Sequence, residues 1–219
     1  MSTTREQVLT EEFEFKFLTK WLDNARKAIT GKTSKMSIKD AKKHHGIEDF
    51  DVDGEQDGKI YGKTSRTELN NNELFKAQLD KFVQDHGVTP SEIYGIISGE
   101  SSYNTKAFNR TGATGLFQFM PQVAAEHGTS ANLINQMSAD EQMQLWNQYA
   151  TKWKKYHGIP NLKFKLGVLQ AAPAHLKKDP DEVIYKKDSK AWDVNPGWRE
   201  GGDGDITVAS ISDYYTRKA

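Results

Sequence analysis

The 219-residue sequence contains no cysteine, so it has neither a disulfide framework nor a thiol nucleophile. It carries no net charge: 30 basic residues balance 30 acidic ones, and nothing steers the chain as a whole towards nucleic acid or an anionic membrane. No stretch approaches eighteen apolar residues, so neither a spanning helix nor a membrane partner is expected. The opening "MSTTREQVLTEEFEFK" lacks the apolar core of a secretion signal, which predicts synthesis in the cytoplasm and delivery by some other agent if the substrate lies outside. The six histidines suggest no metal site: His44 and His45 are adjacent and cannot share a helical face, and the others are scattered.

What is present suits a modest core. The apolar fraction is 36%, the aromatic fraction 11% and the mean hydropathy −0.76, which predicts one domain or one domain with an appendage. Leu18, Trp21, Leu22, Ala25 and Ile29 recur at helical spacing within 5–29, with Gly31 as a stop, and Ser37 is placed to cap a short basic helix through His44. Leu74, Phe75, Leu79 and Phe82 resume a helical stripe from Glu73. Thr89-Pro90-Ser91-Glu92 and Ser138-Ala139-Asp140-Glu141 are capping boxes, each opening a helix. The second carries Trp146, Tyr149, Ala150 and Trp153 on one face and stops at Gly158; further helices are predicted over 162–172 and 207–217. The reading is mainly α, with a boundary near 70–88.

Between Gly99 and Pro121, in "GESSYNTKAFNRTGATGLFQFMP", Glu100 is the one carboxylate, and the next acid is Glu126. A free glutamate is ionised at neutral pH and cannot donate a proton. Against an apolar wall such as Ile93, Ile96 and Ile97 its charged form is disfavoured, and a carboxyl raised to about 6 suits a general acid. A lone glutamate at a helix C-terminus is ordinarily just solvated, and mildly unfavourable with the dipole. What sets this one apart is the loop beyond it, rich in Gly, Asn, Ser and Thr with a Gln and aromatics, which suits a ligand covered in hydroxyl and acetamido groups.

The pattern Glu100-Ser101, Asn104, Ala107, Gly112-Ala113-Thr114-Gly115-Leu116-Phe117-Gln118 and Met120-Pro121 spans about 22 consecutive positions without a gap. It resembles the lytic transglycosylase family of the soluble, goose-lysozyme-like type. The resemblance implies a lysozyme-like, mainly α catalytic domain acting on peptidoglycan glycan strands. Glu100 would be its acid/base, Ser101, Gln118, Phe119 and Met120 would meet substrate, and Asn104, Gly112 and Gly115 would shape the groove. Asn109 stands where the family often has Ser. The later Ala-Tyr-Asn-Ala-Gly motif is best matched by Ala171-Ala172-Pro173-Ala174-His175, so the hydroxyl expected near Glu100 is missing at Ala172, with Tyr185, Trp192 or Trp198 as substitutes.

Glycosidases that hydrolyse use two carboxyl groups. None lies between Ser101 and Ala125, although Asp203 or Asp205 in "GGDGD" could fold close. In the resembled family the substrate's own acetamido and 6-hydroxyl groups take the second role, leaving a 1,6-anhydro product with no cofactor required. The alternatives are a hydrolytic muramidase or endolysin, and a lysozyme-fold tail or glycan-binding protein that has lost activity. A separate cluster, Asp53, Glu55, Asp57, Tyr61 and Thr64, fits the spacing of an EF-hand loop except that Thr64 stands where a bidentate Glu belongs, making structural calcium a candidate ligand; a second frame starts at Asp49 and Asp51. The expected organisation is an accessory segment, 1–75, and a catalytic domain, 76–219. The expected partners are peptidoglycan and the tail or baseplate proteins of a phage particle, which would carry the protein from the host cytoplasm to the cell wall.

Overall fold

The computed structural model describes residues 37–48 and 52–219. The expected helix over 5–29, and Asp49 and Asp51 of the second calcium frame, lie outside the described residues. Ser37 caps α1 (Ile38–His44) by accepting from the Asp40 N–H at 3.1 Å, as its position before a basic helix suggests. The Asp/Gly-rich stretch then departs from a liganding loop. It folds into an antiparallel hairpin of β1 (Gly54–Gln56) and β2 (Lys59–Tyr61), turned through Asp57 and Gly58, both at positive φ.

Beyond the hairpin, helices dominate. After α2 (Arg66–Asn71), Asn72 caps α3 (Glu73–His86), and the Thr89 box opens α4 (Pro90–Ser101). The short α5 (Pro121–Glu126) and α6 (Ala131–Gln136) lead into α7 (Ala139–His157), where Glu141 returns to the Ser138 N–H at 2.9 Å. The predicted 162–172 helix is α8 (Leu166–Ala171). A lobe over 173–205 holds β3 (Val183–Tyr185), α9 (Lys190–Val194) and three single turns of 3₁₀ helix. The chain then pairs β4 (Ile206–Thr207) with β3 and ends in α10 (Val208–Thr216). The described residues are thus mainly α, with two two-stranded sheets.

One stack ties the helices to the loop that carries the sequence motif. The Trp146 indole of α7 lies between Phe82 of α3, at 4.4 Å, and Phe117 of the loop, at 4.2 Å, nearly parallel to both rings. Offset aromatic contacts of this kind add to the area they bury. Ile60 of the hairpin and Leu69 of α2 enter the same core as Ile93 and Trp146. The described part of the expected accessory segment therefore shares the core of the catalytic segment.

Candidate active site

Glu100 occupies the last turn of α4, one turn beyond Ile96 and Ile97 and two beyond Ile93, all three wholly buried. The helix stops because Ser102 and then Tyr103 adopt left-handed conformations, with φ of 50° and 63°. Two such residues in succession reverse the chain, so that residues 103–105 run beside 62–64. The Thr64 N–H donates to Tyr103 O at 2.9 Å, and the Thr105 N–H to Gly62 O at 3.0 Å. The carboxylate is left partly exposed at the end of an apolar helix face.

The hydroxyl beside it comes from the far end of the chain. Tyr215 of α10 donates to Glu100 Oε1. Three glycines make the slot that admits it. A Cβ at Gly95 would strike the Tyr215 carbonyl oxygen, one at Gly99 would lie 3.2 Å from the Tyr215 ring, and one at Gly167 would lie 3.0 Å from it. Burial raises the Glu100 carboxyl from its ordinary 4.5 to about 7, and the Tyr215 hydrogen bond only partly opposes the shift. Tyr215 is itself pushed well above its usual range, first by burial and then by the Glu100 charge, so it stays a proton donor throughout neutral pH. A carboxyl of this kind can give up a proton and take one back near pH 7.

The loop from Asn104 to Met120 is held by its own polar groups. Asn109 accepts from the N–H groups of Thr111 and Ala113, at 2.9 and 3.1 Å, so this residue in place of the family Ser organises the turn. Gly115 sits at φ +82° with Gln142 and Ile134 packed where a Cβ would stand; only glycine meets both demands. Buried Gln142 is the hub: its amide donates to the carbonyls of Thr105, Ile134 and Met137, and its oxygen accepts from the Leu116 N–H at 2.7 Å. Gln170 of α8 donates to Phe117 O at 2.8 Å and fastens the loop from the other side.

The residues expected to meet substrate differ in exposure. Gln118, at φ 47°, spends its amide N–H groups on Ala107 O and Gly115 O, leaving its oxygen available, and Met120 is partly exposed. Phe119 is 4% exposed and Ser101 9%, with the Ser101 hydroxyl donating to Ile97 O, so both side chains face the interior. Asn104 accepts from the Lys106 N–H and pairs with Lys63, while the His45 ring covers Gly112. None of the suggested substitutes supplies the hydroxyl that bonds Glu100. Tyr185 packs edge-on to His175, Trp192 donates its indole N–H to Gly204 O, Trp198 ends a 3₁₀ turn, and Ala172 is buried. Sequence reasoning placed a helix over 207–217 but gave Tyr215 no role; the available signal was the Gly95/Gly99 pair, one helical turn apart.

The calcium ligands do not converge. Asp53 pairs with Lys106 at 2.9 Å, and among the described residues no group of three or more His, Asp or Glu side chains is placed to hold a metal ion. The spacing matches an EF-hand, and residues 54–61 of the segment fold as the β1–β2 hairpin.

A mainly helical core thus presents a desolvated, hydroxyl-bonded glutamate at the end of the helix that leads into a polar, glycine-containing loop. Residues 79–148, from the second half of α3 to the middle of α7, match the family model of the Transglycosylase SLT domain, whose members are lytic transglycosylases. No curated protein and no solved structure matches the chain.

Proposed function

We propose that the protein is a peptidoglycan lytic transglycosylase with a lysozyme-like catalytic domain and Glu100 as its acid and base. The observation that carries the reading is the Glu100 carboxyl, raised to about 7 and held by Tyr215 at the end of the helix that leads into the Gly112–Gln118 loop. The protonated carboxyl gives its proton to the glycosidic oxygen as the bond from C1 of N-acetylmuramic acid to O4 of N-acetylglucosamine breaks. The acetamido oxygen of the same muramic residue supports the developing positive charge at C1. Its 6-hydroxyl then bonds to C1, returning a proton to the Glu100 carboxylate, and a 1,6-anhydro sugar leaves with no water consumed. A tethered hydroxyl has an effective concentration that free water lacks. Tyr215 is a positioning residue: it keeps the carboxyl in one rotamer and moderates its pKa.

The hydrolytic alternative needs a second acid to activate water. The two candidates are engaged in the 173–205 lobe: Asp203 pairs with the Lys187 ammonium at 2.7 Å, and Asp205 accepts from the Lys187 N–H at 2.6 Å. This favours the single-acid route. An inactive glycan-binding tail protein is opposed by the intact acid and its pKa. Mass spectrometry of a complete murein digest tests all three. Muropeptides lighter by one water and without a reducing end support the proposal, reducing ends support hydrolysis, and undigested murein supports the binding protein. The proposed setting is a phage virion, in its tail or baseplate, opening the cell wall during entry. Finding the chain in purified particles by peptide mass spectrometry tests this part independently.

A further inference from the structure

The lobe over 173–205 lies outside the residues that match the family, yet it reaches the tyrosines beside Glu100. Its anchor is Trp192, buried, with the Arg199 guanidinium 3.5 Å above its ring and its indole N–H donated to Gly204 O at 2.8 Å. That anchor holds the turn Pro196–Trp198 against α10. Gly197 packs so closely on Tyr214 that a Cβ there would come 2.7 Å from Cε2. The Tyr214 ring in turn stands edge-to-face with that of Tyr215, centroids 5.0 Å apart, and feels the Glu100 charge. The order is therefore Glu100, Tyr215, Tyr214, Gly197, Trp198.

Two tryptophans six positions apart behave differently. Trp192 is buried and hydrogen-bonded, as a structural indole should be. Trp198 is only partly exposed, packs one side on the core, and makes no hydrogen bond from its N–H among the described residues. The Tyr214 hydroxyl likewise has no hydrogen bond among the described residues. Lys218 Nζ, 5.5 Å from the Tyr214 centroid, takes part of that ring's face, while the Trp198 ring keeps part of its surface exposed. A pyranose has apolar C–H faces and a hydroxyl rim, which match a flat indole with a free N–H beside a free phenol. We propose that Trp198 and Tyr214 form a sugar subsite on the Tyr215 side of Glu100, with Trp198 stacking on an N-acetylated pyranose ring of a β-1,4 glycan and Tyr214 hydrogen-bonding its rim. The proposal deepens, and rests on, the glycan reading of the same site.

The test uses the full chain and soluble β-1,4 N-acetylglucosamine tetramer as the probe. Calorimetry should show binding weakened about tenfold by Trp198→Ala, a factor that corresponds to ~1.4 kcal/mol, and by less than about threefold for Trp198→Phe, which keeps a ring. On murein, Trp198→Ala should raise KM and leave kcat within about twofold, because stacking is equal in ground and transition states. Should Trp198→Ala fail to fold, the unsubstituted protein still decides: the indole N–H resonance absent from Trp198→Phe must shift on adding tetramer. Unchanged affinity in Trp198→Ala, or an unmoved resonance, overturns the subsite. Ring-dependent tetramer binding by a protein that leaves murein intact would support the subsite while overturning the transglycosylase reading.

Discussion

Glu100 has two walls, and they come from opposite kinds of sequence. The near wall is the loop from Asn104 to Met120, continuous with the acid and held by local bonds such as Asn109 to Thr111 and Ala113. The far wall is α10, more than a hundred residues later, where Tyr215 reaches Glu100 through a slot floored by Gly95, Gly99 and Gly167. The near wall takes its turn from its own residues and its anchorage from Gln142 and Gln170; the far wall sets the protonation and posture of the acid and exists only once three helices have packed. A catalytic group can thus stand in a readable motif while its tuning partner stands in none.

The largest expected effect removes the acid from between the walls. Glu100→Gln should lower murein cleavage by about 10²–10⁴-fold, because an amide keeps the shape and cannot transfer a proton. Its stability should move the opposite way. The folded carboxyl titrates at about 7 against 4.5 unfolded, so the stability it contributes is complete below 4.5 and is lost as pH rises through 7. Glu100→Gln should therefore melt ~5–10 °C above the parent at pH 8, corresponding to roughly 2–3 kcal/mol, with little difference at pH 4. Equal melting curves at pH 8 would mean the carboxylate suffers no burial.

The next effect isolates the far wall. Tyr215→Phe should reduce kcat roughly tenfold, through a looser carboxyl. Loss of a hydrogen bond to the carboxylate also raises its pKa, so the alkaline limb of the activity profile, near pH 7 in the parent, should move to higher pH. A limb that stays in place separates Tyr215 from the acid. Gly95→Ala sharpens the same point without touching either group. The change favours the helix by up to about 1 kcal/mol, but the added methyl meets a backbone carbonyl that cannot swing away. A net loss of ~1–3 kcal/mol by denaturant unfolding is expected, and a neutral or stabilised variant would show that α10 does not dock there.

The smallest effect concerns the hairpin beside the near wall. Millimolar calcium and excess chelator should give melting temperatures within about 1 °C of each other, since a ligand stabilises only through sites it binds in the folded state. Asp53→Asn should be nearly as quiet, because its pair with Lys106 is largely exposed on the Asp53 side. A rise of several degrees with calcium would return the segment to an ion-binding role.

Much of the scaffold was legible because its signals are local. Capping boxes at Thr89 and Ser138, the Trp146/Ala150/Trp153 face and the Leu79/Phe82 stripe each depend on residues within one or two turns, and α4, α7 and α3 form where they point. Glu100, Gly115 and the loop were legible for the same reason: an apolar helix face supplies the desolvation, and a left-handed glycine announces its turn. What the sequence could not decide was which polar side chain faces ligand and which faces core. Ser101 and Phe119 lie in the motif yet point inward, and Gln142, an unremarked residue of α7, organises the loop. Asp53, Glu55 and Asp57 had the spacing of a calcium loop, but hairpin pairing separated their tasks. The hydroxyl on Glu100 depended on tertiary structure most of all. Its position is set by backbone contact between α4, α8 and α10, and contact between distant segments depends on packing geometry that no window of neighbouring residues contains.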